Sequence, residues 1–483
     1  MITAIDFTNR QNRYLRLTDV SEQYLRHIEK KAKEDPYYPT YHVAPRHGLL
    51  NDPNGLSYYK GRHHIFYQWF PLGPVHGLKH WYHVSTKDFV HYEDHGIALY
   101  PDHCYDSHGC YSGSGVVEGD SLHLFYTGNH LTGDGEVVQS QVHAVMDPDN
   151  FIRKAQVIAN GSPIAFTHNF RDPVVFEREG SYYMLVGGEM MTNEGGLALY
   201  KGESMDQMTY EGTVSTPLGK LGYMWECPNY FEVEEQGIFI FSPQGDLKTD
   251  KYNFNNVFSV AYMIGEPMDL ERRHFEVEDY IELDKGFDFY APQTYVDDQG
   301  RRILIGWLGN SKSEYPTDPN MWAHMLTIPR TLEVKGNELI QSPVEELVNL
   351  RKDKETLKTL HRLHSQAFEM RIMVEEVFEI TFENDKGECV TFSSNGEEYE
   401  LDRSKMTHVY AEKFGTKRYA KRKCLTSHRV MIYIDRSSIE IFCDDGATVF
   451  TSRMFVSNLE KVRSVGVSGD LYHLSSAEFL ESN

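Results

Sequence analysis

Five stretches of this 483-residue chain follow one plan: a polar opening, an apolar strand, a turn that usually contains glycine, and a second apolar strand. They are NDPNGLSYYKGRHHIFYQ from Asn51, YSGSGVVEGDSLHLFYTG from Tyr111, RDPVVFEREGSYYMLVGG from Arg171, ECPNYFEVEEQGIFIFSPQG from Glu226 and YAPQTYVDDQGRRILIGWLG from Tyr290. Their starts are 60, 60, 55 and 64 residues apart. A period this long, with several strands per unit, predicts a β-propeller, because one small sheet cannot bury both faces without neighbours. Five repeats predict five blades. The first strand of each blade then lies nearest the axis, so the polar residues that open the repeats converge on a central funnel.

The flanks read differently. Residues 21–35 (SEQYLRHIEKKAKED) put Tyr24, Leu25, Ile28 and Ala32 on one helical face, with Pro36 as the stop. Ser342, Pro343 and Glu345 read as a capping box followed by VEELVNLRKDKETLKTL, which predicts a linker helix. Beyond residue 365 alternating strands return, with turns at DRSS and DDG, predicting a β-sandwich. The expected fold class is all-β: an N-terminal helical extension over 1–38, the propeller over 39–340, a linker helix over 341–364 and the sandwich over 365–483.

A formal net charge of −23 disfavours a nucleic-acid or anionic-membrane partner. MITAIDFTNRQNRYLRL lacks the basic start and apolar core of a secretory signal, and the chain has no apolar run of about 18 residues, so a cytoplasmic protein is expected. The six cysteines form no CxxC pair and are expected to be reduced. Among 23 histidines there is no HExxH and no paired Cys/His spacing, and the chain has neither an EF-hand loop nor a P-loop. The expectation is no metal and no cofactor. The adjacent His63 and His64 point to opposite faces of a strand and read as hydrogen-bonded structure. The basic stretch KFGTKRYAKRK at 413–423 reads as a solvated strand face or loop, with an anion site as the alternative. Monomer and homodimer both stay open.

Three of the five openings carry an acid: Asp52 in NDPNG, Asp172 in RDP and Glu226 in WECP. Any one of them beside a proline reads as a turn residue. Three at the same place in a ring meet at its axis, where crowding pushes their pKa values apart so that one carboxyl stays protonated while another is ionised. Glycosidic bond cleavage requires that pairing, one carboxylic acid protonating the leaving oxygen and one carboxylate attacking or activating water.

In this order, NDPNG with FYQ, YSGS, RDP, WECP and DFYAPQ resembles glycoside hydrolase family 32, the β-fructofuranosidases, from about residue 40 through the C-terminal strands. The resemblance implies a five-bladed propeller joined to a β-sandwich and a β-linked fructosyl substrate. It makes Asp52 the nucleophile, Glu226 the acid/base and Asp172 the acid that holds ring hydroxyls. Asn51, Gln68, Tyr111, Ser112, Arg171, Tyr290 and Trp307 would line the sugar pocket, although Tyr290 and Trp307 also read as ordinary strand core. Arg171 is expected to keep nearby carboxylates ionised, and Trp225, Cys227 and Pro228 to give Glu226 an apolar setting that raises its pKa. A covalent fructosyl-enzyme predicts retention, with the two reacting carboxyls about 5 to 5.5 Å apart.

Two departures matter. Leu50 stands before NDPNG and His76 in the loop FPLGPVHGLKHW, where many members of the family carry tryptophan, which weakens the case for long fructans. The same segments, with YDSHGCYSGSG, look most like the bacterial intracellular branch of the family, whose substrate is sucrose 6-phosphate. A glucosyl phosphate needs local cations, and Arg46, His47, Lys79, His80 and Lys312 are the candidates. The alternatives are an intracellular invertase or short-fructan hydrolase, a transfructosylase, and, from another class, a noncatalytic sugar-binding propeller.

Overall fold

The structure, a computed structural model, describes residues 4–219, 221–245 and 247–482. Each of the five repeats begins a separate sheet, three of four strands, one of five and one of six; all are antiparallel except the six-stranded one, which has a parallel strand at each edge. The opening strands Gly48–Tyr59, Cys110–Glu118, Phe166–Arg178, Met224–Val233 and Tyr290–Val296 pack beside one another in that order, and the last returns to the first. The ring is a β-propeller. The first hairpin shows why the repeats fold locally: Lys60 and Gly61 both take positive φ (50° and 75°), the turn whose twist matches two antiparallel strands.

Each opening strand is interrupted at the same place. The register with its neighbour shifts between Leu50 and Pro53, Cys110 and Gly113, Arg171 and Val174, Glu226 and Asn229, and Tyr290 and Gln293. A β-bulge re-aims side chains, and here all five do so at the residues that open the repeats. Asp172, Cys227 and Ala291 take positive φ within their bulges. Gly113 permits the second, since a Cβ there would stand 1.7 Å from the Phe125 carbonyl oxygen.

The N-terminal helix forms over Glu22–Lys33, with the Ser21 hydroxyl accepting from the Tyr24 N–H at 3.2 Å and Tyr24, Ile28 and Ala32 buried. Beyond the propeller, ten strands make one hydrogen-bonded sheet. Its longest strand, Ala367–Glu383, is bent by a register shift between Val374 and Glu379 and wraps an apolar core that includes Phe368, Ile380, Ile432, Phe450 and Leu471 in a sandwich-like fold. The C-terminal strand Glu478–Glu481 returns to pair with the outer edge of the first propeller sheet.

The linker helix predicted over 341–364 does not form. Ser342 and Pro343 end a strand, Val344 takes the N-cap position without a side-chain cap, and the helical stretch is one short 3-10 segment, Glu345–Leu350. Arg351–Thr356 then runs as a strand along Lys461–Leu474. Its charged residues are good helix formers, and pairing to an open sheet edge overrides that weak preference. The basic stretch at 413–423 is partly paired within the sheet: Lys417 with Glu400 and Asp402 and Lys423 with Glu338, while Arg422 donates to carbonyls.

Propeller and C-terminal sheet meet across a buried polar network. His42 lies between Asp435 and Glu440, 2.9 Å from each, while Arg330 donates to Glu440 at 2.5 Å and to Asp284 at 3.3 Å. Burial alone would pull the His42 imidazole down, but the two carboxylates push it up to about 9. A raised histidine contributes stability that is present in full below its unfolded pKa of about 6.5 and is lost as pH rises through the folded value. The gap in unfolding free energy between the protein and its His42→Gln variant should therefore shrink by on the order of 3 kcal/mol from pH 6 to pH 10. A gap independent of pH in denaturant titrations would show that His42 is not charged there.

Candidate active site

The five bulges surround a cavity of about 530 Å3 whose lining includes Asp52, Asp172 and Glu226. Asp52 is held from both sides: the Ser112 hydroxyl donates to Oδ2 at 2.6 Å and the Asn51 amide to Oδ1 at 3.0 Å. Asp172 Oδ2 accepts the Cys227 N–H at 2.9 Å, and the Cys227 thiol sits between the two aspartates, 3.6 Å from Asp52 and 3.5 Å from Asp172.

Glu226 occupies a setting opposite to the apolar one expected. Arg171 donates to Oε1 from Nε and Nη2 at 3.0 and 2.7 Å, and Oε2 accepts from Gln244 at 2.6 Å and from the Tyr290 hydroxyl at 2.5 Å. Neighbours along a strand point to the other face, and Trp225 packs on Phe241 in the core. Arg171, adjacent to Asp172 in sequence, thus grips Glu226.

Burial pushes the Asp172 carboxyl up, and the charges of Glu226 and Asp52 add to this against the Arg171 guanidinium. Burial raises Asp52 as well, opposed by the Ser112 and Asn51 hydrogen bonds and by Lys79. Asp172 thus keeps its proton up to about 7, and Asp52 loses its own above the ordinary aspartate range. In a cluster of carboxyls one member can hold a proton while another attacks as a carboxylate.

Of the predicted sugar-pocket residues all but Ser112 line the cavity; Ser112 is fully buried and reaches the site through its bond to Asp52. Asn51 links the Gln68 amide oxygen (2.5 Å) to the Lys79 ammonium (2.6 Å), Tyr111 faces the cavity, and Tyr290 and Trp307 line it while also being buried. Trp307 is fixed by its indole N–H donating to His324 at 2.9 Å. His76 shares the cavity, edge-on to Trp307. His63 and His64 are structural, bonded to Tyr295 and His83.

The expected phosphate cations do not assemble. Arg46 pairs with Asp94 and Glu481 at the outer edge of the first sheet. His47 and His80 are buried, and burial pulls both down to about 4, so they are uncharged near neutrality. Lys312 is not among the residues that line the cavity. Lys79 alone lies inside, held by Asn51, with burial pulling its ammonium down to about 7.

Residues not anticipated complete the rim. The 3-10 segment Arg10–Tyr14 places Arg10, Arg13 and Tyr14 on the cavity, pinned by the Arg13 carbonyl accepting the Leu78 N–H at 2.7 Å. Arg13 spends Nε on the Phe7 carbonyl at 2.9 Å, and Arg10 has no hydrogen bond or ion pair to another described residue. Gln139, Asn169, His168 and Gln244 also line the wall. Gln244 had a signal, because it ends the second strand of its repeat as Gln68 does.

Comparison with known proteins gives this geometry a family. Residues 42–343 match the Glycosyl hydrolases family 32 N-terminal domain, and residues 338–477 the family 32 C terminal domain. The chain belongs to glycoside hydrolase family 32. It is a glycoside hydrolase.

Among its family 32 relatives, a sucrose-6-phosphate hydrolase of Vibrio alginolyticus is 43% identical over 459 residues, covering 95% of this chain and 94% of the relative. One from Staphylococcus xylosus is 36% identical over 96% of both. The solved sucrose-6-phosphate hydrolase of Lactobacillus gasseri superposes with a TM-score of 0.93 at 32% identity, covering 97% and 99% of the two chains. A family 32 β-fructofuranosidase of Bombyx mori reaches 0.83 at 29% identity, over 96% and 100%. Among the described residues no helix is long and apolar enough to cross a membrane, and all six cysteines are unpaired.

Proposed function

We propose that this protein is a retaining β-fructofuranosidase that cleaves sucrose 6-phosphate to glucose 6-phosphate and fructose on a five-bladed propeller, without a cofactor. The observation that carries the reaction is the meeting of Asp52, Asp172 and Glu226 in one cavity. Asp52 attacks the anomeric carbon, its second oxygen steadied by Asn51, while Glu226 protonates the departing glucosyl oxygen. Asp172, which keeps its proton readily, holds a ring hydroxyl of the fructosyl unit. Water then enters, Glu226 takes its proton, and the covalent fructosyl-Asp52 ester is released with retention.

The phosphate reading draws support from the named relatives and from two arginines at the rim. In a chain of net charge −23, Arg10 and the free end of Arg13 face the cavity without a carboxylate partner. Such guanidiniums suit a dianionic phosphate, and they assign to the N-terminal segment the role earlier sought in Arg46, His47, His80 and Lys312.

The test compares kcat/KM for sucrose 6-phosphate and for sucrose in the protein and in an Arg10→Ala/Arg13→Ala double variant. The phosphorylated substrate should be preferred tenfold or more, about 1.4 kcal/mol, and the double variant should lose most of that preference while its sucrose value changes far less. Equal constants in the unaltered protein would leave an invertase or short-fructan hydrolase instead.

A further inference from the structure

A second group of ligand-type side chains lies far from the cavity, where the chain leaving the propeller meets the C-terminal sheet. Glu355 belongs to the strand Arg351–Thr356, His361 to Leu360–Arg362 and His473 to Lys461–Leu474, and both short strands pair with the long one. One ligand atom from each lies within 4.8 Å of the others. His473 Nε2 is 3.1 Å from one Glu355 oxygen and His361 Nε2 is 3.4 Å from the other. A third histidine, His364, brings Nε2 to 3.9 Å from Glu355 on a side chain that is 75% exposed, its ring beside that of His473.

Hydrogen bonds satisfy the group only in part: His473 Nε2 bonds to Glu355 at 3.1 Å, whereas His361 is 2% exposed and neither of its ring nitrogens has a hydrogen-bond partner. Buried polar atoms are nearly always paired, so the orphaned His361 Nε2, 3.4 Å from the second Glu355 oxygen, calls for a missing partner.

We propose that Glu355, His361, His364 and His473 bind one zinc(II) ion. Four ligand atoms about 2.0 to 2.1 Å from a tetrahedral centre stand roughly 3.3 Å apart, close to the separations already present around Glu355. Three imidazoles and one carboxylate select a borderline transition ion over calcium or magnesium, and four protein ligands close the site against a reacting water, which makes it structural. The ion clips residues 355–364 onto the strand that carries His473. The other acid–histidine group among the described residues, Asp102, His103 and Asp106, already holds the Lys154 ammonium, 2.5 and 2.6 Å from the two aspartates.

The test uses full-length, tag-free protein stripped with a chelator and titrated with zinc chloride by calorimetry, with thermal unfolding followed in parallel. One ion per chain should bind with Kd of about 1 µM or tighter and raise the midpoint by a few degrees. His361→Ala removes a buried side chain and endangers folding, so the deciding variants are Glu355→Gln and the exposed His364→Ala. Each should weaken zinc binding at least tenfold while the metal-free midpoint stays with that of the unaltered protein. No saturable binding below about 100 µM zinc, or unchanged affinity in both variants, overturns the site.

Discussion

Asp52→Ala should lower kcat for sucrose 6-phosphate by roughly four orders of magnitude or more while the protein folds normally. The side chain is bonded only to Ser112, Asn51 and the Cys227 thiol, so the thermal midpoint should stay within a few degrees. With the proposed nucleophile gone, Arg171, Tyr290 and Gln68 still shape the pocket, so substrate should bind with an affinity similar to that of the unaltered enzyme. Two measurements check this. Single-turnover kinetics give the rate, and mass spectrometry of the unaltered enzyme quenched with an activated fructoside should find a fructosyl adduct on the peptide carrying Asp52. Turnover in Asp52→Ala within tenfold of normal would remove Asp52 from the chemistry, and absence of any turnover in the unaltered protein on sucrose, its 6-phosphate or fructans would favour the sugar-binding alternative.

Glu226→Gln should reduce kcat by about 10² to 10⁴ on substrates whose sugar leaving group needs a proton. The loss should be far smaller for the first step with an aryl fructoside, whose phenolate departs unaided, and added azide, which needs no general base, should restore turnover of that substrate. In the proposed mechanism Asp52 acts as a carboxylate, so activity falls on the acid side as Asp52 gains a proton. Because burial and mutual repulsion raise both Asp52 and Asp172, the acid limb lies above the ordinary aspartate range. That limb, set by Asp52, should survive in Glu226→Gln. Failure of azide to restore aryl-fructoside turnover in Glu226→Gln would assign the acid/base elsewhere.

Legibility differed from one residue to the next. Asp52, Asp172 and Glu226 could be placed together because each opens a repeat, and a repeat position becomes a spatial position once the sheets close into a ring. Gln68 came from the family resemblance of FYQ, and Gln244, near the end of the corresponding strand of its own repeat, was not anticipated. Arg10 and Arg13 carried none: an arginine in a short non-periodic segment is indistinguishable from a solubilising charge, and what distinguishes these two is the absence of a carboxylate beside them. The helix expected after residue 341 failed because the charged stretch at 351–356 has helical propensities worth tenths of a kcal/mol per residue, less than the pairing offered by the strand Lys461–Leu474. Glu355, His361 and His473 lie as much as 118 residues apart in sequence, and no spacing motif joins them.

By itself the sequence determined what depends on local chemistry repeated at a regular interval: strands, their turns, the ring, and the three acids at its centre. Only the tertiary structure decided what depends on which side chains end up as neighbours. It turned Arg171 toward Glu226 instead of the adjacent Asp172, brought the N-terminal arginines over the cavity, and neutralised His47 and His80 by burial. The reason is physical. Strand and turn formation is governed by a few adjacent residues, whereas the charge state and partners of a carboxylate or an imidazole are set by desolvation and by groups within a few ångströms in space, and in this chain those groups come from strands dozens to hundreds of residues away.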